Sequence, residues 1–187
     1  PLNLGLMAAS PQAGAQEGGY RLPPAALQAI VDAPRAPALS LSPQRNLAAV
    51  VQTPPLPGIA EVAQPELKLA GLRINPRTYA QSKFSFGTDL WLQDVASGKE
   101  LRLQGLPAPL SIATTSWSPD QRYLAFNQVD AKSGRNELWV VDVAARSARR
   151  LTGMPLNTVA GRGYRWLSDS RRLLVQLRPE GQGDAPA

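Results

Sequence analysis

Short apolar runs bounded by turn residues dominate the chain, and most of them alternate apolar with polar positions. Pro37–Leu41 and Leu47–Gln52 flank Ser42-Pro43-Gln44-Arg45, a turn with proline at its second position. Residues 89–95 and 99–104 predict a hairpin turning at Ser97-Gly98. Ile112–Trp117 and Arg122–Val129 flank a second such turn, Ser118-Pro119-Asp120-Gln121, and Glu137–Val143 and Ser147–Thr152 form a further pair. Arg162–Leu167 and Arg171–Leu177 open one more. Helical spacing is confined to two places. One is Tyr20–Pro34, where Leu27, Ile30 and Val31 follow Pro24 at i, i+3, i+4. The other is Ile59–Leu72, a helix-like stretch broken by Pro65.

The strand pairs repeat. DLWLQDVASGKELRLQG (Asp89–Gly105) and ELWVVDVAARSARRLTG (Glu137–Gly153) match at 8 of 17 positions without a gap, at an offset of 48 residues (137 − 89). Trp117–Phe126 and Trp166–Val175 share Trp, Asp, Arg and Leu in register at an offset of 49 (166 − 117). Two interleaved blocks with one period of this size indicate a propeller-type repeat. The expected fold is therefore all-β: a partial propeller of four-stranded antiparallel blades, about two and a half of them.

The expected organisation is a flexible extension or signal remnant at 1–19, a helical segment at 20–36, and an incomplete propeller at 37–177 with an insertion at 53–87. A flexible tail follows at 178–187. Propellers close with about four to eight blades. Two and a half would leave apolar sheet faces and an unpaired edge, so the segment is expected to belong to something larger.

Composition narrows the chemistry. There is no Cys and no His, which removes thiolate chemistry, imidazole base catalysis and His-ligated metals from these residues. No G-x-S-x-G motif occurs. The net charge of +6 raises nucleic acid as a partner, but 16 of the 20 cations are Arg scattered through turns, with no interleaved stacking platform. No apolar run is long enough for a membrane span. Asp130–Glu137 resembles a calcium loop only superficially, since Lys132 and Gly134 fall at the third and fifth positions. Gly161-Arg162-Gly163 is too short for a phosphate cradle and precedes a strand. Neither metal nor cofactor is expected, nor is nucleic acid or membrane as a partner.

The repeat residues allow two readings each. Trp91, Trp139, Trp117 and Trp166 alternate with aliphatic residues, which suits packing between sheets better than a ligand platform. Asp94, Asp142, Asp120 and Asp169 fall at turns, where carboxylates accept backbone N–H bonds; acid–base pairs are the alternative, and the periodicity favours scaffold. The insertion is the least stereotyped region and projects from one face. Lys68, Arg73, Arg77 and Lys83 make it basic against Glu61 and Glu66. They are the candidates for gating an acidic peptide, against the simpler role of packing on a neighbouring domain.

Three phrases resemble a known family: YRLPP…IVDAP…PALSLSPQR (Tyr20–Arg45), LPGIAEVAQPELKLAGLRINP (Leu56–Pro76), and within the second E-x-x-x-P-E-x-K-L-A-G-L-R-I (Glu61–Ile74). They resemble the start of the glutamyl endopeptidases, a branch of the prolyl oligopeptidase family of serine peptidases found in chloroplasts and bacteria. The resemblance runs from Tyr20 to about Val175. It implies that the propeller gates access of peptides to a C-terminal α/β-hydrolase domain holding a Ser, Asp and His triad, with cleavage after Glu. No triad residue can be carried over to this sequence, so no catalytic residue is assigned in it. The partners implied are that hydrolase domain, in the same polypeptide or as a nicked companion, and a peptide substrate. A non-enzymatic propeller scaffold is the alternative. Ala13-Gly14-Ala15 after an apolar patch suggests a secretory signal remnant, hence a bacterial periplasmic or secreted location; in plant relatives the resemblance implies plastids.

Overall fold

The structure is a computed structural model that describes residues 22–82, 85–130, 132–179 and 181. The signal-like triplet and Lys83 lie outside the described residues. The chain divides into two units, Pro1–Asp32 and Ala33–Ala187. In the first, helix α1 (Ala25–Val31) begins directly after Pro24, whose missing N–H costs nothing at a helix start. None of its residues is buried.

The second unit is built from strands. β1 (Ala38–Leu41), β2 (Leu47–Gln52), β6 (Asp89–Asp94) and β7 (Glu100–Arg102) form one antiparallel sheet in the order β1-β2-β6-β7. β8 (Ile112–Trp117), β9 (Tyr123–Asp130), β10 (Arg135–Asp142) and β11 (Ser147–Arg150) form a second with the same order, β8-β9-β10-β11. β12 (Tyr164–Trp166) and β13 (Leu173–Val175) pair as the first half of a third. These are two blades and half of another, each strand following its chain neighbour except where the insertion separates β2 from β6.

The first hairpin of each sheet turns in one way. Arg45, Gln121 and Ser170, at matching positions of the three sheets, all take positive φ (60°, 66° and 59°). A type I turn followed by one left-handed residue closes a hairpin with the right twist. Ser42 and Ser118 support it: each hydroxyl accepts the N–H that opens the next strand, from Leu47 and from Tyr123.

Alternation then decides which side chains meet. Leu90 and Leu92 face the second sheet, where with Ala49 they pack against Ile112, Leu124, Phe126 and Val141. Trp117 and Trp139 close that cluster from the second sheet. The counterpart of Leu90, Leu138, faces the third sheet and packs with Ala125, Leu156 and Tyr164, flanked by Trp166, Leu173 and Val175. Burying each large apolar side chain contributes roughly 1.5–3 kcal/mol.

Two hydrogen bonds recur at each seam between sheets. The Trp117 indole N–H donates to the Ser40 carbonyl and that of Trp166 to the Ser116 carbonyl, both at 3.0 Å. The Gln44 N–H donates to Gln121 Oε1 at 3.2 Å, and the Asp120 N–H to Ser170 Oγ at 3.0 Å. Acceptors and donors occupy equivalent positions, so the sheets are stacked by one repeated operation.

The insertion differs from the expected helix-like centre. Only Ile59–Val62 (α2) is helical; β3 (Leu67–Leu69), β4 (Leu72–Asn75) and β5 (Ala80–Gln81) form a separate three-stranded sheet. Ala70 and Gly71 both have positive φ (47° and 84°), a two-residue primed turn that forces the chain back on itself. Cross-strand pairing then puts Leu67 with Ile74 and Leu69 with Leu72 on one face, and Lys68 with Arg73 on the other. A one-sided apolar hairpin beats a helix already interrupted at Pro65.

Candidate functional site

The repeat carboxylates are turn anchors. Asp94 Oδ1 accepts the Ser97 N–H at 2.8 Å and its hydroxyl at 2.6 Å, and Asp142 Oδ1 accepts the Ala145 N–H at 2.9 Å. Asp120 and Asp169 accept the N–H groups of Arg122 and Arg171, each at 3.0 Å. Hydrogen bonds from Ser97 and Ser118 hold the Asp94 and Asp120 carboxyls below the ordinary carboxylate range, and the Arg171 N–H does so for Asp169. A carboxylate held ionised by its own turn is a poor proton donor.

The candidate gating cations are only partly gathered. Lys68 and Arg73 are cross-strand neighbours on the insertion hairpin. Arg73 Nε also bonds Glu66 Oε1 at 2.8 Å. Arg77 lies in the following turn and donates through Nη2 to the Lys132 carbonyl at 2.8 Å, tying the insertion to the β9–β10 loop.

The insertion is fastened to the blades at its far end. The Thr158 N–H donates to the Tyr79 carbonyl at 2.8 Å, Gln81 Nε2 donates to the Val159 carbonyl at 3.1 Å, and the Arg178 guanidinium lies 3.9 Å from the Tyr79 ring centre. Beneath runs a buried polar chain. The Thr114 N–H and hydroxyl donate to Asn127 Oδ1 (2.8 and 2.7 Å), Asn127 Nδ2 donates to Asn136 Oδ1 (3.2 Å), and Asn136 Nδ2 donates to Thr158 Oγ1 (2.8 Å). The Tyr164 hydroxyl lies 3.2 and 3.3 Å from the carbonyls of Thr114 and Ala125. Asn127 and Asn136 are 1% and 0% exposed, a burial tolerable only because each finds partners.

Above that chain opens a cleft of about 280 Å3. Ala80, Gln81 and Phe86 of the insertion form one wall, Ala113 and Thr114 of β8 another, and Gly161 and Arg162 a third, over Asn127 and Thr158. A second cleft of about 560 Å3 adjoins it, sharing Arg162 and lined also by Ser116, Trp117, Tyr164, Arg165 and Trp166. Arg162 and the insertion wall were not among the expected site residues. The one sequence signal is the Gly161-Arg162-Gly163 triplet, which is too short for a phosphate cradle.

Two curated relatives match this chain over 90% of its length. A probable chloroplastic glutamyl endopeptidase of Oryza sativa subsp. japonica is 36% identical over 179 residues, and one of Arabidopsis thaliana is 38% identical over 178. The chain is thus similar to these two proteins over nearly all of its length. It spans about a fifth of those relatives, 19% and 18% of their lengths. No family model matches it. Among solved structures, the β-propeller domain of the Trilobed protease from Pyrococcus furiosus is similar over 78% of this chain and 36% of that one, with 17% identity and a TM-score of 0.46. The Pyrococcus horikoshii acylaminoacyl peptidase is similar over 83% of this chain and 19% of its own, with 16% identity and the same TM-score of 0.46.

Proposed function

We propose that these residues are propeller blades of a serine peptidase that cleaves peptides after Glu, its catalytic domain being an α/β-hydrolase carried elsewhere in the same protein or in a companion chain. The observation that carries this reading is the 36–38% identity, over nine-tenths of the chain, to two proteins each named a glutamyl endopeptidase. The absence of any His in these 187 residues agrees with catalysis performed outside them. On this reading the blades restrict access, and the insertion, with Lys68, Arg73, Arg77 and Lys83, borders the route an acidic peptide takes. A periplasmic or secreted location belongs to the same reading, supported by the Ala13-Gly14-Ala15 triplet and testable by cell fractionation.

The test uses the full protein with quenched peptides differing only in Glu, Gln or Asp at one position, products being read by mass. Cleavage confined to the bond after Glu, abolished by a fluorophosphonate, is the expected result. Deleting residues 59–82 should then speed attack on unfolded polypeptides relative to short peptides. A protein that binds peptides and hydrolyses none of them would be a scaffold, and the reading would fail.

A further inference from the structure

The Gly161-Arg162-Gly163 turn is built tightly. Gly161 and Gly163 have φ of 146° and 75°, and a Cβ on Gly163 would lie 2.7 Å from both the Asn157 carbonyl oxygen and Thr158 Cγ2. Only glycine fits there, so the backbone that presents Arg162 is held against the Asn157–Thr158 segment. Arg162 itself is exposed at the junction of the two clefts, 5.9 Å over the Tyr164 ring, and no carboxylate among the described residues pairs with it. Elsewhere carboxylates are placed to meet guanidinium groups: Arg102 with Asp89 and Glu100, Arg150 with Glu137, and Arg172 with Asp169. At the clefts they are withheld. Their lining includes Arg162 and Arg165 and neither Asp nor Glu.

We propose that Arg162 is the carboxylate-binding group of this cleft pair and that the ligand is an extended peptide lying between the insertion and the third sheet. A guanidinium fork matches a planar carboxylate through two parallel N–H bonds. A guanidinium pairs with phosphate as well, but no helix start backs this one, since its turn leads into strand β12. The cleft floor is already satisfied internally through Asn127 and Thr158, so it offers a rigid polar base rather than competing donors. Phe86 in one cleft and Trp117 with Trp166 in the other give apolar surface to the residues on either side of the carboxylate. The volumes are of the order of small-ligand clefts, roughly 300–1,000 Å3. The inference rests on the peptidase reading only in taking a peptide as the ligand.

The carboxylate is either an acidic side chain or a chain terminus, and three peptides separate them. One carries a single Glu between blocked ends, with the following bond N-methylated so that it is not cut. Its Gln counterpart is the second, and an acid-free peptide with a free C-terminus is the third. Binding to the full protein is followed by calorimetry at two salt concentrations. The expected result is that a carboxylate-bearing peptide binds at least about tenfold tighter than the Gln peptide, the worth of one charge-assisted pair. In R162Q that preference should vanish while it survives in R171Q, with unchanged circular dichroism in both variants. Preference for the first peptide names the side chain and preference for the third names the terminus; either one, if lost in R162Q, supports the site. Equal binding of all three, or a preference that R162Q retains, overturns it. Cleavage after Glu in a protein whose carboxylate preference R162Q leaves intact sinks this inference alone. Binding that depends on Arg162 in a protein that cleaves nothing sinks the peptidase reading alone.

Discussion

Asp89 is one methylene too short to reach Trp91. In the second sheet the equivalent pair is Glu137 and Trp139, and there the indole N–H donates to Oε2 at 3.2 Å while Oε1 takes Arg150 at 3.1 Å. In the first sheet Asp89 spends one oxygen on the Leu90 N–H (2.8 Å) and the other on Arg102 (2.9 Å). The Trp91 N–H is left buried with no acceptor among the described residues. The Arg–carboxylate pair was kept between repeats and the indole contact was not.

An Asp89→Glu variant should therefore be more stable. A buried donor without a partner costs roughly 1–3 kcal/mol, and relieving it while keeping the Arg102 pair should gain about 1 kcal/mol. Urea unfolding of the two proteins measures this directly. The reverse change, Glu137→Asp, should cost a similar amount. If Asp89→Glu is neutral while Glu137→Asp is costly, the Trp91 N–H is not short of a partner.

The seams predict a matched pair of losses. Trp117→Phe and Trp166→Phe each remove a hydrogen bond to the neighbouring sheet and part of a packed ring, so each should cost about 1–3 kcal/mol. Because the bonds are equivalent, a Phe at either position should act on the seam it closes, visible as faster amide exchange in β1 for Trp117→Phe and in β8 for Trp166→Phe. Exchange that rises equally everywhere would mean that the indoles stabilise the fold only globally.

The blades were legible because Trp117 and Trp166, and Leu90 and Leu138, sit in short alternating runs that recur at one period. Few other arrangements bury such runs. The acceptors at the seams were not legible, because the Ser40 and Ser116 carbonyls belong to the backbone and carry no side-chain signal. The insertion departs from the expected helix-like stretch at Leu67–Leu72, where Leu-Ala-Gly-Leu suits a helix and a primed turn equally well. What decides it is the turn at Ala70 and Gly71, both of positive φ, which sets Leu69 opposite Leu72 across the strands. Arg162 is not legible for a similar reason. Its setting depends on Ala80 and Thr114, far away in sequence, and its glycine neighbours alone suggest no more than a short loop.

The insertion should loosen without the blades when its far fastening is cut. Arg178→Ala removes the cation over the Tyr79 ring, worth about 0.5–2 kcal/mol, and Arg77→Ala removes the bond to the Lys132 carbonyl. Deuterium uptake in residues 72–82 should rise several-fold in either variant, while β8–β10 stay protected. Uptake unchanged in the insertion would show that the Thr158 and Val159 contacts alone hold it.

Tyr164 makes the second seam sensitive to alkali. Burial pushes its hydroxyl up to about 12, against smaller opposing effects of the Thr114 hydrogen bond and the Arg162 charge. The carbonyls of Thr114 and Ala125 beside it accept hydrogen bonds and donate none, so a phenolate there would lose them. An unfolded tyrosine titrates near 10. Because the folded value is the higher one, the stability linked to Tyr164 is fully present below about pH 10, and falls as pH rises toward 12, where the unfolded chain holds fewer protons. Urea unfolding at pH 8 and pH 11 should show this loss in the native protein. Tyr164→Phe should start lower at pH 8, having lost the bonds to the two carbonyls, and should then fall less steeply. Native protein and Tyr164→Phe losing the same amount between the two pH values would mean that Tyr164 keeps its proton no more tightly when folded than when unfolded.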